Sequence, residues 1–219
     1  MAEINKISYE GVEDLNKYFY DNYQTTEMLE ELTTQTGFTS ASIFELELNT
    51  GVTANSIAQI YYNLNYFNPL YAEAVWKCYM NDMTDCFAFF GFKETIGQPT
   101  YDMTESHAGF MVNNGKLYAS VADGYSQQRV EIVGIDMKKV QEYKINYNAF
   151  SIRPLPIVEE VLGLPSVKSI ERVWKEYTTL SDFPPENKVH WIVQYIKNST
   201  GEEKYIRFNK FIYKEVYAD

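Results

Sequence analysis

Two hairpin dipeptides, Asn114-Gly115 and Asp123-Gly124, stand about one strand apart within the segment from Gly109 to Gly124. Both suit type I′ turns, whose central residues need the positive φ that Asn, Asp and Gly tolerate. If Asn114-Gly115 is a two-residue loop, Val112 faces Leu117 and Phe110 faces Ala119. If Asp123-Gly124 is another, Leu117 faces Val130 and Val121 faces Ser126. Both registers put Phe110, Val112, Leu117, Ala119, Val121, Val130 and Ile132 on one face, and on the other pair Lys116 with Glu131 and Tyr118 with Arg129. Side chains alternate across a strand, so agreement between turn chemistry and parity predicts a three-stranded antiparallel meander with one wet face.

The same period of two runs on either side of this meander. Phe44, Leu46 and Leu48 alternate with Glu45 and Glu47, and further alternation covers Ala74 to Tyr79, Cys86 to Phe92, and Tyr143, Ile145 and Tyr147. Val189 to Lys197 and Lys204 to Tyr217 read as a closing hairpin turning at Asn198-Ser199-Thr200-Gly201. Arg153-Pro154-Leu155-Pro156 resists both helix and central strand, and Ile157 to Leu162 fits a helical turn before Gly163 and Pro165. Residues 1–36 differ: Val12, Leu15, Tyr18 and Phe19, then Met28, Leu29 and Leu32, recur at helical spacing, with Thr26 as a cap and Gly37 as a stop. The expected organisation is therefore a helical arm over 1–36 and one antiparallel β-sandwich over 37–219. The arm either packs on the sandwich or docks it to neighbours.

Composition narrows the functional classes. Thirty acidic against 19 basic residues give a net charge of −11, with no basic run to offset it, which disfavours nucleic acid and anionic membrane surfaces as partners. The longest apolar stretches are too short to span a bilayer, and Met1 to Tyr9 lacks the apolar centre of a signal peptide. Cys78 and Cys86 flank the turn-like Asn81-Asp82-Met83-Thr84, so they are either two small core residues or a cross-hairpin disulfide.

Cys86-Phe87-Ala88-Phe89-Phe90-Gly91-Phe92, His107-Ala108-Gly109-Phe110 through Asp123-Gly124, Gly134-Ile135-Asp136 and Glu142-Tyr143-Lys144-Ile145 together resemble the central strands of concanavalin A-like lectin and laminin G-like jelly rolls. Gly51-Val52-Thr53-Ala54-Asn55-Ser56 followed by Tyr61 to Phe67 resembles the entry strand region of such modules, so the likeness covers roughly residues 44–148 and the final strands. It is greatest for versions in viral and phage tail or surface proteins. The sequence departs from that pattern over Ser151 to Pro165, where an insertion suited to oligomer contacts is expected.

Glycoside hydrolases on this fold carry a Glu-x-Asp-x-x-Glu type run that points carboxylates into a cleft. The nearest counterpart is Glu45-Leu46-Glu47, which lacks a third acid and reads as a solvated strand face. His107 beside Ser106, and His190 between Val189 and Trp191, sit in settings that suit structural roles better than a nucleophilic triad. No phosphate-cradling or dinucleotide loop is present. The resemblance implies calcium as the cofactor to test; Asp82, Asp85, Asp102 and Asp123 lie in expected loops but form no dense ligand run, so neither a metal nor another cofactor is assigned. Asn198-Ser199-Thr200 matches a glycosylation acceptor.

The sequence thus predicts a protein without catalysis of its own, working as a structural or surface-binding component of a virion or similar assembly. Its expected partners are further copies or other subunits. The alternatives are a carbohydrate-binding module for cell-surface glycans and a glycosidase with unpaired acids.

Overall fold

A computed structural model of the chain describes residues 16–21, 30–31, 37–41, 46–63, 72–146, 149–154, 158–161, 164–167, 173–181, 184 and 191–216. Within them the secondary structure is all strand: β1 (Asn16–Asp21), β2 (Glu30–Glu31), β3 (Phe38–Ala41), β4 (Leu46–Asn49), β5 (Ile57–Asn63), β6 (Ala72–Met80), β7 (Cys86–Lys93), β8 (His107–Asn113) and β9 (Lys116–Ala122) come first. They are followed by β10 (Gln127–Ile132), β11 (Gln141–Asn146), β12 (Ala149–Pro154), β13 (Val158–Val161), β14 (Leu164–Val167), β15 (Lys175–Thr179), β16 (Trp191–Asn198) and β17 (Tyr205–Val216).

These strands build two antiparallel sheets. One has eight strands in the order β15-β12-β11-β6-β17-β4-β3, with β1 on the far half of the long β17. The other has seven, in the order β10-β9-β8-β7-β16-β5-β2. The β13-β14 hairpin forms a small sheet of its own. Alternate residues of each large sheet face the other and bury one core. Leu46, Leu48, Ala74, Trp76, Cys78, Tyr143, Ile145, Phe150 and Phe208 come from the first sheet, and Ala88, Phe90, Phe92, Phe110, Val112, Ala119 and Ile196 from the second. Trp76 is wholly buried and lies with its ring 5.8 Å from both Phe90 and Phe92 and 5.3 Å from Phe211, so aromatic packing spans the two layers.

The meander forms as its turn residues dictate. Asn114 and Gly115 take φ of 46° and 83°, and Val112 pairs with Leu117 and Phe110 with Ala119. The second turn is longer than expected. Ala122 pairs with Gln127, leaving Asp123–Ser126 as the loop, because the Asp123 carboxylate accepts hydrogen bonds from the amides of Tyr125 and Ser126. The register slips by two residues relative to a two-residue loop, which keeps every side chain on its expected face. Tyr118 therefore lies opposite Glu131 and Arg129 opposite Ser120, while Lys116 still reaches Glu131 at 2.9 Å.

Other expectations are revised by long-range pairing. The helices expected within 1–36 lie largely outside the described residues; the described pieces of that stretch, β1 and β2, are strands laid against β17 and β5. Where a helical turn was expected over Ile157 to Leu162, the described residues Val158–Val161 are a strand, β13, and Arg153-Pro154 ends a strand, β12, that lies within the eight-stranded sheet. The final two strands do not close a hairpin. β16 sits between β7 and β5 in one sheet and β17 between β6 and β4 in the other, so the turn at 199–204 crosses the sandwich. Cys78 and Cys86 are buried free thiols, one on each sheet, and burial pushes the Cys86 thiol up to about 12.

Candidate functional site

The seven-stranded sheet has a second apolar cluster on its outward face. Register lines its residues up in rows across the strands. Ile57, Lys197, Phe87, Asn113 and Lys116 form one row; Gln59, Tyr195, Phe89, Met111, Tyr118 and Glu131 form the next. A third row runs Tyr61, Val193, Gly91, Gly109, Ser120 and Arg129, and a fourth includes Trp191, Lys93, His107, Ala122 and Gln127. Ile57, Tyr61, Phe89, Met111, Val193 and Tyr195 are buried although they point away from the sandwich core.

The β7–β8 connection, residues 94–106, folds back as a strap over part of this face, packing on the cluster and reaching second-row Gln59 and Tyr118. Ile96 and Met103 supply its apolar underside. The Glu94 amide bonds the Ser106 carbonyl at 2.9 Å and closes the base. Lys93, 1% exposed, donates to the Thr95 carbonyl at 3.2 Å and hydroxyl at 3.1 Å and pairs with Glu105. The Gln59 amide donates to the Ile96 carbonyl at 2.8 Å, and Gln127 to the Tyr101 carbonyl at 3.1 Å. Arg129 bonds the same carbonyl, pairs with Asp102 at 2.9 Å, and holds its guanidinium 3.6 Å from the centre of the Tyr101 ring. A buried charge so fully partnered holds a loop in one place.

Only a strip of the first two rows is accessible, since Ile57 of the first and Gln59, Tyr195, Phe89 and Met111 of the second are buried. Phe87 is half-buried, its ring 5.9 Å from that of buried Tyr195; Asn113 and Tyr118 beside it are half-buried too, and Lys116 and Glu131 are exposed. Tyr118 touches Tyr101 of the strap edge-on at 5.6 Å. This strip offers ring faces flanked by an amide, two lysines and a carboxylate. Those are the groups that hold a hydroxyl-rich ring by stacking on its apolar face and bonding its rim.

The residues singled out in the sequence do not converge on this strip. His107 is buried in the fourth row, its Nδ1 2.7 Å from the Glu105 carbonyl and its Nε2 2.8 Å from the Ser120 hydroxyl. Glu47 stands on the outside of the opposite sheet, bonded to Arg207 at 2.5 Å and to the Asn49 amide at 2.9 Å. Glu45 and His190 lie outside the described residues. The four loop aspartates do not fit calcium. Asp82 is bonded to Lys204 and Thr84, Asp102 to Arg129 and Asp123 to its own turn; Asp85 takes φ of 48° in the turn before β7. Among the described residues no three His, Cys, Asp or Glu side chains converge. Asn198 is wholly buried, accepting from the Ser56 amide and donating to the Gly51 and Glu202 carbonyls, so the acceptor motif serves the turn. The Phe87 strip itself had a legible signal, the alternation of β7, whose outward residues are as aromatic as its inward ones.

The fold can be compared directly with solved structures. The Bacillus licheniformis β-glucanase superposes with a TM-score of 0.59 at 12% identity, covering 90% of this chain and 97% of that one. Peanut lectin follows at 0.57 and 10%, covering 93% and 99%. This is the concanavalin A-like jelly-roll fold. The exoplasmic/lumenal domain of VIP36, solved with calcium and Man3GlcNAc bound, shares it at a TM-score of 0.56 and 7% identity over 89% of this chain and 86% of its own. No family model matches the sequence, and no curated protein is similar to it in sequence.

The comparison corrects one expectation. A protein without catalysis was predicted from the missing acid run, yet the concanavalin A-like fold serves a glucanase as well as lectins, so enzymatic function is open for this chain. On β5, β7, β8, β9, β10 and β16 the sole carboxylate is Glu131. Further acids for hydrolysis on this face would have to come from other segments, such as β2, whose Glu30 pairs with Tyr61 of the third row, or Asp102 and Glu105 of the strap. Among the described residues no helix is long and apolar enough to cross a membrane.

Proposed function

We propose that this chain binds carbohydrate on the open strip of its seven-stranded sheet, with Phe87 as the stacking platform and Asn113, Lys197 and Tyr118 around it. The observation that carries the reading is the half-buried Phe87 ring on an outward row, backed by Tyr195 and left free by the strap. Sugar recognition needs little more than a rigid aromatic face with polar groups at ring distance. The likeness to lectins and glucanases supports the class of ligand.

A glycan array probed with the multivalently displayed protein tests this. Binding that falls about tenfold or more in Phe87→Ala, a loss of roughly 1.4 kcal/mol, is the expected result. A blank array with folded protein would remove the reading. Reducing ends released from a bound β-glucan would extend it to hydrolysis, and Glu131→Gln and Glu105→Gln would then locate the acids. Display on a virion or other particle is compatible with this role, since repeated copies turn weak single contacts into tight attachment.

A further inference from the structure

We infer that the sugar held on the accessible strip carries an anionic group on its ring, a uronate carboxylate or a sulfate ester, and that Lys197 receives it. The inference rests on the carbohydrate reading of the Phe87 strip and names the class of ring that fits there. Lys197 on β16 lies directly opposite Phe87 on β7, and it projects outward with it because its neighbour Ile196 belongs to the sandwich core. It is half-buried, and among the described residues its ammonium has neither an ion pair nor a hydrogen bond. Taking a cation partly out of water without a counter-charge costs free energy, which an anion bound beside it offsets.

The charges around Phe87 say which ring fits. The second-row residues beside Lys197, which are Gln59, Tyr195 and Phe89, carry none. Lys116, at the far end of the first row, is already neutralised by Glu131 at 2.9 Å. Neighbouring strands stand ~4.8 Å apart, so Glu131, four strands from β16 on β10, lies about 19 Å from Lys197, roughly two screening lengths at physiological salt. Asp85, two residues ahead of Phe87, is exposed in its turn and forms no ion pair among the described residues. On the other flank of Phe87, Asn113 is half-buried and its side-chain amide is unbonded among the described residues. A ring stacked on Phe87 therefore meets a cation at one edge and a neutral donor and acceptor at the other. One anionic substituent with hydroxyls across the ring from it satisfies both, and an ammonium with an anion makes the stronger, charge-assisted bond. The net charge of −11 repels anions from the molecule at large, so retention of an acidic sugar reports this local cation.

The test measures affinity of the full chain for oligomers of glucuronate, mannuronate and galacturonate, for the same oligomers with their carboxylates reduced to alcohols, and for sulfate esters of the reduced forms. At least one acidic series should bind roughly fivefold or more tighter than its reduced counterpart. Preference for the carboxylates alone identifies a uronate, and an equal or greater preference for the esters a sulfated sugar. Lys197→Gln should bring acidic and reduced forms to equal affinity, whereas Lys197→Arg should keep most of the preference, both with the circular dichroism spectrum of the wild type. Reduced forms bound by the wild type as tightly as acidic ones, or a preference kept by folded Lys197→Gln, would overturn the inference and leave carbohydrate binding standing. Binding of neither form, with wild type and Phe87→Ala alike, would overturn both readings together.

Discussion

His107 owes its protonation state to three neighbours. The Glu105 carbonyl can only accept, so Nδ1 carries the proton and Nε2 accepts from the Ser120 hydroxyl, which in turn accepts from Gln127 at 3.1 Å. Burial, helped by nearby Lys93, pushes the imidazole down to about 4. The unfolded chain, with an ordinary imidazole, takes up a proton below about pH 6.5 that the native state refuses until about pH 4. Stability is therefore complete above pH 6.5 and falls as pH drops through that window. Relative to His107→Asn, the wild type should lose roughly 2–3 kcal/mol between pH 7 and pH 4.5, read from urea midpoints. Equal pH slopes for the two proteins would mean that the ring is hydrated in the native state. Neither this setting nor the inward turn of Asn198 was legible from neighbours in sequence, because the groups that bury them come from other strands and loops.

At the scale of elements, two glycines decide how the central strands meet. Gly91 and Gly109 face each other on β7 and β8, and the Phe89 ring lies across Gly109 under the strap. A methyl group on Gly91 would run into the Ala108 carbonyl oxygen and the Gly109 Cα, both backbone atoms that cannot swing aside. Gly91→Ala should cost about 3 kcal/mol or more, by overpacking and by prising β7 from β8. Gly51→Ala, at φ 66° with open space around it, should cost only about 1–2 kcal/mol, the ordinary penalty for that backbone region. Urea titration of the pair separates the two; equal losses would show that the strands can part without penalty. The four-residue Asp123 loop belongs to this scale as well. A dipeptide announces a turn, but the carboxylate's two amide bonds set its length, and a slip of two is invisible to face parity.

For the whole molecule, the net charge of −11 is a standing repulsion that the described ion pairs only partly relieve. In the best of them the lysine is buried and the carboxylate partly exposed, as Lys93 with Glu105 and Lys204 with Asp82, and salt screens such partly buried pairs less than exposed ones. Raising salt from about 10 mM to about 0.3 M should therefore stabilise the protein by roughly 1 kcal/mol, as the screening length falls below the spacing of surface charges. A lower thermal midpoint in salt would show that exposed pairs outweigh the repulsion.

By itself the sequence determined the strands of the meander and of the other alternating runs, the faces most of their side chains take and the first turn of the meander, because alternation and turn chemistry act over a few neighbouring residues. Val130, on the inward face, is nonetheless exposed. Tertiary structure alone decided which sheet each strand joins, that β16 and β17 part across the sandwich, and that β1 and β2 are strands. It also set the rows on the outer face and the strap that leaves Phe87 open while burying Phe89. Those are matters of partner choice between distant segments, settled by how much apolar surface and how many backbone hydrogen bonds the assembled sheets can satisfy at once.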